Sequence, residues 1–180
     1  MNSTQHLPDA EFSPAAAGTR VRLTTLLSVV GIVMATAAMI VLLQRDRHPP
    51  PPLVSVAIVC SPLVGIGLAV LTTQIRRYRL VGDELRIELP FRTARFPLAG
   101  LAGVTPDREA MRGAWRTNGN GGLGAITGRF RSKRLGPFRA YLTDVEHAVV
   151  LRWPDRCVVV SPHQHSFFID TVRKRAGLSR

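Results

Sequence analysis

Acidic residues are scarce in this 180-residue chain: 12 Asp and Glu stand against 24 Lys and Arg, a formal net charge of +12. Cysteine is nearly absent. Cys60 lies in an apolar run and Cys157 beside three valines, so no disulfide framework can be drawn, which excludes the disulfide-stapled secreted class and agrees with a reducing compartment. A third absence is more local. Between Leu23 and Leu43, and again between Leu53 and Ile75, there is no Asp, Glu, Lys, Arg or His. Ion pathways and proton relays need such groups, so one copy of the chain is not a channel or pump.

What fills those two runs is almost wholly apolar. As helices their 21 and 23 residues reach roughly 31 and 34 Å, about the thickness of a bilayer's hydrocarbon core. The first run exceeds a signal peptide's apolar stretch of about 7 to 15 residues, and Asp9 and Glu11 make an unusual leader. A core helix of a soluble domain would keep a polar stripe, whereas these runs hold only scattered Ser, Thr and Gly. The pattern predicts a transmembrane helical hairpin over 21–75, with spans at about 23–43 and 53–75. Gln44 to Pro52 forms the link, where four consecutive prolines suit a tight reversal. Gly31 and Ala35, with Gly65 and Gly67 after Pro62, predict close packing of the two helices and a kink in the second. Arg45 and Arg47 in the link face six arginines outside it, namely Arg20, Arg22, Arg76, Arg77, Arg79 and Arg86. This asymmetry places the link outside and both termini in the cytoplasm of a multi-pass cell-membrane protein. Residues 1–20, in which Met1 to Gly18 are rich in Ser, Pro and Ala, read as a disordered cytoplasmic tail.

Residues 76–180 read as one cytoplasmic domain. They hold 20 of the 24 Lys and Arg but nine of the 12 Asp and Glu, a local excess of +11. Leu85, Ile87 and Leu89 alternate with Arg86 and Glu88 after Gly82-Asp83, the period of a half-buried strand. Arg92–Leu98, Ala140–Thr143, His147–Trp153 and Cys157–Ser161 read as further strands, with Pro154-Asp155 turning the last pair. Then the period changes. Ser161-Pro162-His163-Gln164 has the form of a capping box opening an amphipathic helix, with Phe168 and Val172 on its apolar face and Gly177 as its stop. Strands closed by a C-terminal helix make an α+β class.

The order of pieces adds a resemblance. Two spans precede Tyr78-Arg79-Leu80-Val81-Gly82-Asp83-Glu84-Leu85-Arg86-Ile87 and Arg95-Phe96-Pro97-Leu98-Ala99-Gly100-Leu101. After a Gly-rich insert come Gly128-Arg129-Phe130, Leu135-Gly136-Pro137-Phe138-Arg139-Ala140-Tyr141, and Val158-Val159-Val160-Ser161-Pro162 leading into Phe167-Phe168-Ile169. The whole resembles the bacterial pleckstrin-homology (PH)-like domain of membrane proteins. The resemblance implies a bent β-sandwich or barrel capped by the C-terminal helix, used for binding and not catalysis, with no ligand or catalytic residue to carry over.

One interval stands out as a candidate site. Arg112, Arg116, Arg129, Arg131, Lys133, Arg134 and Arg139 surround a Gly-rich run, Gly119 to Gly124, with no acidic residue between Arg112 and Arg139. Glycine amides and bidentate guanidinium groups together suit a phosphate or an anionic lipid surface. A solvated, mobile hairpin loop held near the bilayer by charge fits the same residues. Trp115 and Phe130, interleaved with arginines, read as aromatics dipping into the membrane interface. Ala125 stands where a phosphate-binding loop needs Lys. His163 and His165 are two apart at a helix start and share no metal, and Cys157 reads as a small core residue. No enzyme constellation, cofactor or metal site is expected. The sequence thus predicts a membrane-anchored binding or scaffold protein that engages a protein partner or anionic lipid head groups; a tethered nucleic-acid binder is the competing class.

Overall fold

A computed structural model describes residues 9–45 and 51–178. Disorder expected for the first eight residues, and the reversal expected at Asp46 to Pro50, lie outside them. The elements in chain order are β1 (Ala10–Phe12), α1 (Thr19–Arg45), α2 (Pro52–Thr73), β2 (Arg77–Val81), β3 (Glu84–Leu89), β4 (Arg92–Pro97) and β5 (Gly103–Pro106). There follow β6 (Trp115–Gly121), β7 (Ile126–Ser132), β8 (Gly136–Leu142), β9 (Val149–Arg152), β10 (Cys157–Val160) and α3 (His165–Ala176).

Two sheets face each other. The first has the order β1-β2-β3-β4, antiparallel throughout, and the second β5-β9-β10-β8-β7-β6, in which β10 and β8 run parallel. The alternation of β3 does what its period predicts: Leu85, Ile87 and Leu89 are buried while Glu84, Arg86 and Glu88 lie at the outer face. Its inner residues, with Tyr78 and Leu80, meet Tyr141, Leu151, Val158 and Val160 of the second sheet, and Phe168 and Val172 of α3 close the layer. The second sheet is covered on its other side too. Phe130, Phe138, Leu142, Val150 and Val159 pack there against Ala110, Met111 and Val21 at the base of α1. That double burial is why Cys157 to Val160 is one uninterrupted apolar run. The architecture is the α+β, PH-like β-sandwich with a C-terminal helix that the sequence predicts.

Several expectations need correction. Residues 9–18 are not a free tail. β1 pairs with β2, Ala10 opposite Leu80 and Phe12 opposite Tyr78. Phe12 is 4% exposed and meets Phe168 edge-to-face at 5.1 Å. The chain then crosses the second sheet: Ala15 N donates to Ser161 O and Gly18 N to Thr143 O. A three-residue strand is too short to show a period, and its one large anchor sits among small residues, so only the waiting sheet edge orders it. Ser161 does not cap α3. Its hydroxyl accepts from Thr143 N at 2.8 Å and helps hold this crossing, while Gln164 stands at the helix N-cap with no side-chain bond. Gly177 ends the helix as expected, in the left-handed conformation at φ +66° that leaves other residues strained. His147 precedes β9 in a turn, its Nδ1 2.7 Å from Asp144 Oδ2.

The helices α1 and α2 are long and apolar enough to cross a membrane, and neither buries the residues of its most apolar window. α2 runs on through Pro62. Gly31, Gly65 and Gly67 do not bring the helices together as expected, since nothing lies within 4 Å of where a side chain on any of them would begin.

Candidate functional site

Strand register gathers the arginines. Arg129 on β7 is directly opposite Arg139 on β8, and Arg139 is opposite Val158 on β10. Both arginines point toward the first sheet, because the alternate residues Phe130 and Phe138 fill the outer cluster. The Arg139 guanidinium lies 6.0 Å from the ring centre of Phe96 on β4. Arg131, two residues beyond Arg129, shares that face. The result is a groove of about 470 Å³ with Arg95, Arg129, Arg131, Arg139 and Arg156 around it and Phe96 and Val158 in its floor.

Charge in this groove is not balanced from within. Its single carboxylate, Asp155, is held by Arg156 (Nη2 to Oδ2 2.8 Å), whose hydrogen bond keeps the carboxyl below its usual range. Arg95, Arg129, Arg131 and Arg139 form no ion pair with any described residue. Like charges directly opposite each other on neighbouring strands oppose folding, so the Arg129–Arg139 pair is a local cost that an anion would relieve. Cys157, also in the groove wall, has its thiol pushed up, chiefly by burial. It is a packing residue and not a nucleophile.

The remaining residues of the basic interval do not join this site. Arg112 is paired with Glu109 at 2.8 Å, and Arg134 with Asp107. Arg116 donates to the Gly119 carbonyl at 3.0 Å. Lys133 stands exposed in the turn between β7 and β8. Phe130 is 5% exposed and stacks on Phe138 with centroids 6.0 Å apart, so it cannot dip into an interface. Trp115 is exposed, but it opens β6 at the end away from the helices. Six residues at about 3.4 Å each separate it from Gly121 by roughly 20 Å. Two groove arginines carry no site signal in the sequence, Arg156 in the turn before β10 and Arg95 on β4. The strand of Arg95 was legible, but no local signal says that β4 lies over β8.

The glycine run serves another purpose than anion binding. Asn120 Oδ1 accepts from Leu123 N at 2.9 Å and Gly122 N at 3.2 Å, and Gly124 N donates to Thr25 Oγ1 at 3.0 Å. The amides that would have cradled a phosphate are taken. The tip sits between the bases of the two long helices. Thr25 Oγ1 lies 3.2 Å from Gly122 O, Thr73 Oγ1 3.1 Å from Leu123 O, and Asn120 Nδ2 donates to Thr73 Oγ1 at 2.9 Å. Behind the tip, β6 and β7 approach so closely that a Cβ on Gly119 would stand 2.3 Å from the Thr127 carbonyl oxygen, and one on Gly128 2.2 Å from that of Asn118. Only two facing glycines permit this ribbon. It is a hairpin hydrogen-bonded to both long helices through Thr25 and Thr73.

A third feature ties the sheets together. Tyr78 is fully buried, donates to the Tyr141 carbonyl at 2.9 Å and accepts from Ser161 N at 3.3 Å. Burial pushes its phenol up to about 12. It is structural, holding the first sheet to β8 and to the end of β10.

No curated protein and no solved structure is significantly similar to the chain. The family comparison is positive: the sequence profile of the bacterial PH domain matches residues 76–176, spanning β2 through α3 and the whole groove. With two facing sheets, a closing C-terminal helix and that match over more than half its length, the chain belongs to the bacterial PH domain family.

Proposed function

We propose that the protein is a membrane-anchored, non-enzymatic binding module. In this reading α1 and α2 form the transmembrane hairpin and the PH-like domain, held at the cytoplasmic face, takes an anionic partner in the arginine groove. The observation that carries it is the set of four guanidinium groups, Arg95, Arg129, Arg131 and Arg139, that form no ion pair among the described residues and surround one groove. Anchoring is supported by the exposure of Leu26, Leu27, Met34, Leu42, Leu53, Leu63, Leu68 and Leu71 on two uncharged helices. A soluble fold would bury such a surface. A cleaved leader is a poor fit for α1, since its base contributes Val21 to the domain's core and Thr25 to the hairpin contact. The packing of β1 and α3 in one domain supports both flanks of the hairpin lying on one side of it.

The groove's place favours a partner from solution over lipid of the same bilayer. Arg131 is five residues along β7 from Ile126, about 17 Å from the strand end that meets the helices. Surface charge of a membrane acts within about a Debye length, roughly 8 Å at physiological salt. The competing nucleic-acid reading keeps Trp115 as its stacking aromatic and loses Phe130, which is buried. The test is crosslinking of the full-length protein in its native membrane, compared with an Arg129→Ser, Arg131→Ser, Arg139→Ser variant. An acidic protein captured by the first and lost from the second is the expected result. An unchanged set of partners refutes the groove.

A further inference from the structure

The two sheets are unequal. The first ends at β4, which lies over β8, with Phe96 6.0 Å from Tyr141 and 6.0 Å from the Arg139 guanidinium. The second continues past β8 to β7 and β6, and on the inner face of β7 Arg129 and Arg131 are exposed along the groove. One strand position is empty, beside β4 and above β7. Its width is set by the usual spacings, about 4.8 Å between strands and about 10 Å between sheets.

The edge that borders this space is open. Leu98 N donates to Asp83 O at 2.7 Å. With the β3–β4 register this fixes the alternation: residues 92, 94, 96 and 98 bond toward β3, and the amide and carbonyl groups of Thr93 and Arg95 point outward. Pro97 obeys the same rule, its carbonyl facing away from β3 and accepting Trp153 Nε1 at 3.1 Å. The far edge of the same sheet shows what such an edge takes. There Ala10-Glu11-Phe12 is added as β1, Phe12 buried and Glu11 Oε1 2.8 Å from Arg77 Nη1, its other oxygen 3.9 Å from Arg79 Nε. An extended segment alternating acidic and apolar residues completes one edge within the chain itself.

We propose that the open edge of β4 is a docking site for an extended acidic peptide of a partner protein, added as a further strand whose carboxylates meet Arg129, Arg131 and Arg139. This rests on the reading of the groove as an anion site and adds its ligand's shape. Backbone pairing with Thr93 and Arg95 supplies the anchoring, and charge supplies the choice of partner.

The test uses the full-length protein in phosphatidylcholine nanodiscs. The probe is a capped heptapeptide alternating Glu and Val, and the control is the same peptide N-methylated at every second residue, which keeps the charge and removes half the strand's donors. The plain peptide is expected to bind in a salt-dependent way and the methylated one at least tenfold more weakly. The plain peptide should also lose at least tenfold against Arg129→Ser/Arg131→Ser and against Thr93→Pro. Pro at an outward-facing amide spares the β3–β4 ladder; if that variant does not fold, the methylated peptide still decides. Equal binding of both peptides, still lost with the arginines, overturns strand addition and leaves the anion groove standing. No peptide binding, with arginine-dependent capture of phosphatidylglycerol vesicles instead, overturns the proposal in favour of lipid. No arginine-dependent binding of any of these probes overturns both the proposal and the groove reading.

Discussion

Replacing Phe12 by Ala tests whether the N-terminal segment is part of the domain. The ring is 4% exposed and touches Phe168 edge-to-face at 5.1 Å and Phe167 at 5.7 Å. Truncating a buried Phe costs about 3 to 5 kcal/mol, from lost transfer energy and the cavity left behind. The lower figure applies here, because a three-residue edge strand can close part of the cavity and the site lies near the domain's margin. At about 4 °C per kcal/mol for a domain of this size, the melting temperature falls by roughly 12 °C. The assay is a thermal melt of the full-length protein in detergent, followed by near-ultraviolet circular dichroism, with hydrogen exchange read at 10–15. The Ala variant should also release the backbone bond from Ala15 N to Ser161 O, so the amide of Ala15 exchanges faster. A melting point within 2 °C or so of the parent, together with exchange at Ala15 no slower than in a free peptide in both proteins, would refute the packing described for residues 9–18.

Three further outcomes are expected. Tyr78→Phe leaves the Tyr141 carbonyl and Ser161 amide without their buried partner and costs about 1 to 3 kcal/mol in a denaturant titration. In the parent the phenol is raised from 10.0 to about 12, so its contribution is complete below pH 10 and fades as pH climbs toward 12. The Phe variant should lack that alkaline component. Gly128→Ala places a Cβ 2.2 Å from the Asn118 carbonyl oxygen at φ +135°, so the β6–β7 ribbon must part. A loss of about 2 kcal/mol or more and faster exchange at Leu123 are expected, whereas Gly82→Ala, with open space around it, should leave Leu123 untouched. Arg139→Gln removes a like-charge pair and should stabilise the unliganded domain by about 0.2 to 1 kcal/mol while abolishing stabilisation by the acidic heptapeptide; a destabilised variant would mean that the arginine is structural.

The sequence by itself determined the elements whose signal is local. Two uncharged runs of 21 and 23 residues pointed to long apolar helices, because a helix satisfies its own backbone hydrogen bonds where the side chains offer almost none. The alternation of Leu85, Ile87 and Leu89 set the inward face of β3, and the glycine after the last helical residues set the end of α3. The excess of arginine over acid between Arg112 and Arg139 was equally plain. Which arginines act together was not, because register and sheet stacking join residues distant in sequence: Arg129 stands opposite Arg139 and Arg95 borders the same groove from the other sheet, while Arg112 and Arg134 turn to nearby acids. The same reason hid β1, whose three residues gain order from β2 and Phe168. It also hid the fate of Gly119 to Gly124, whose amides are consumed by Asn120 and Thr25. Local pattern fixes what a segment is, since period and capping act over a few residues. What a segment touches is decided by long-range closure, and so the tertiary structure alone decided the groove, the hairpin wedge and the open strand position.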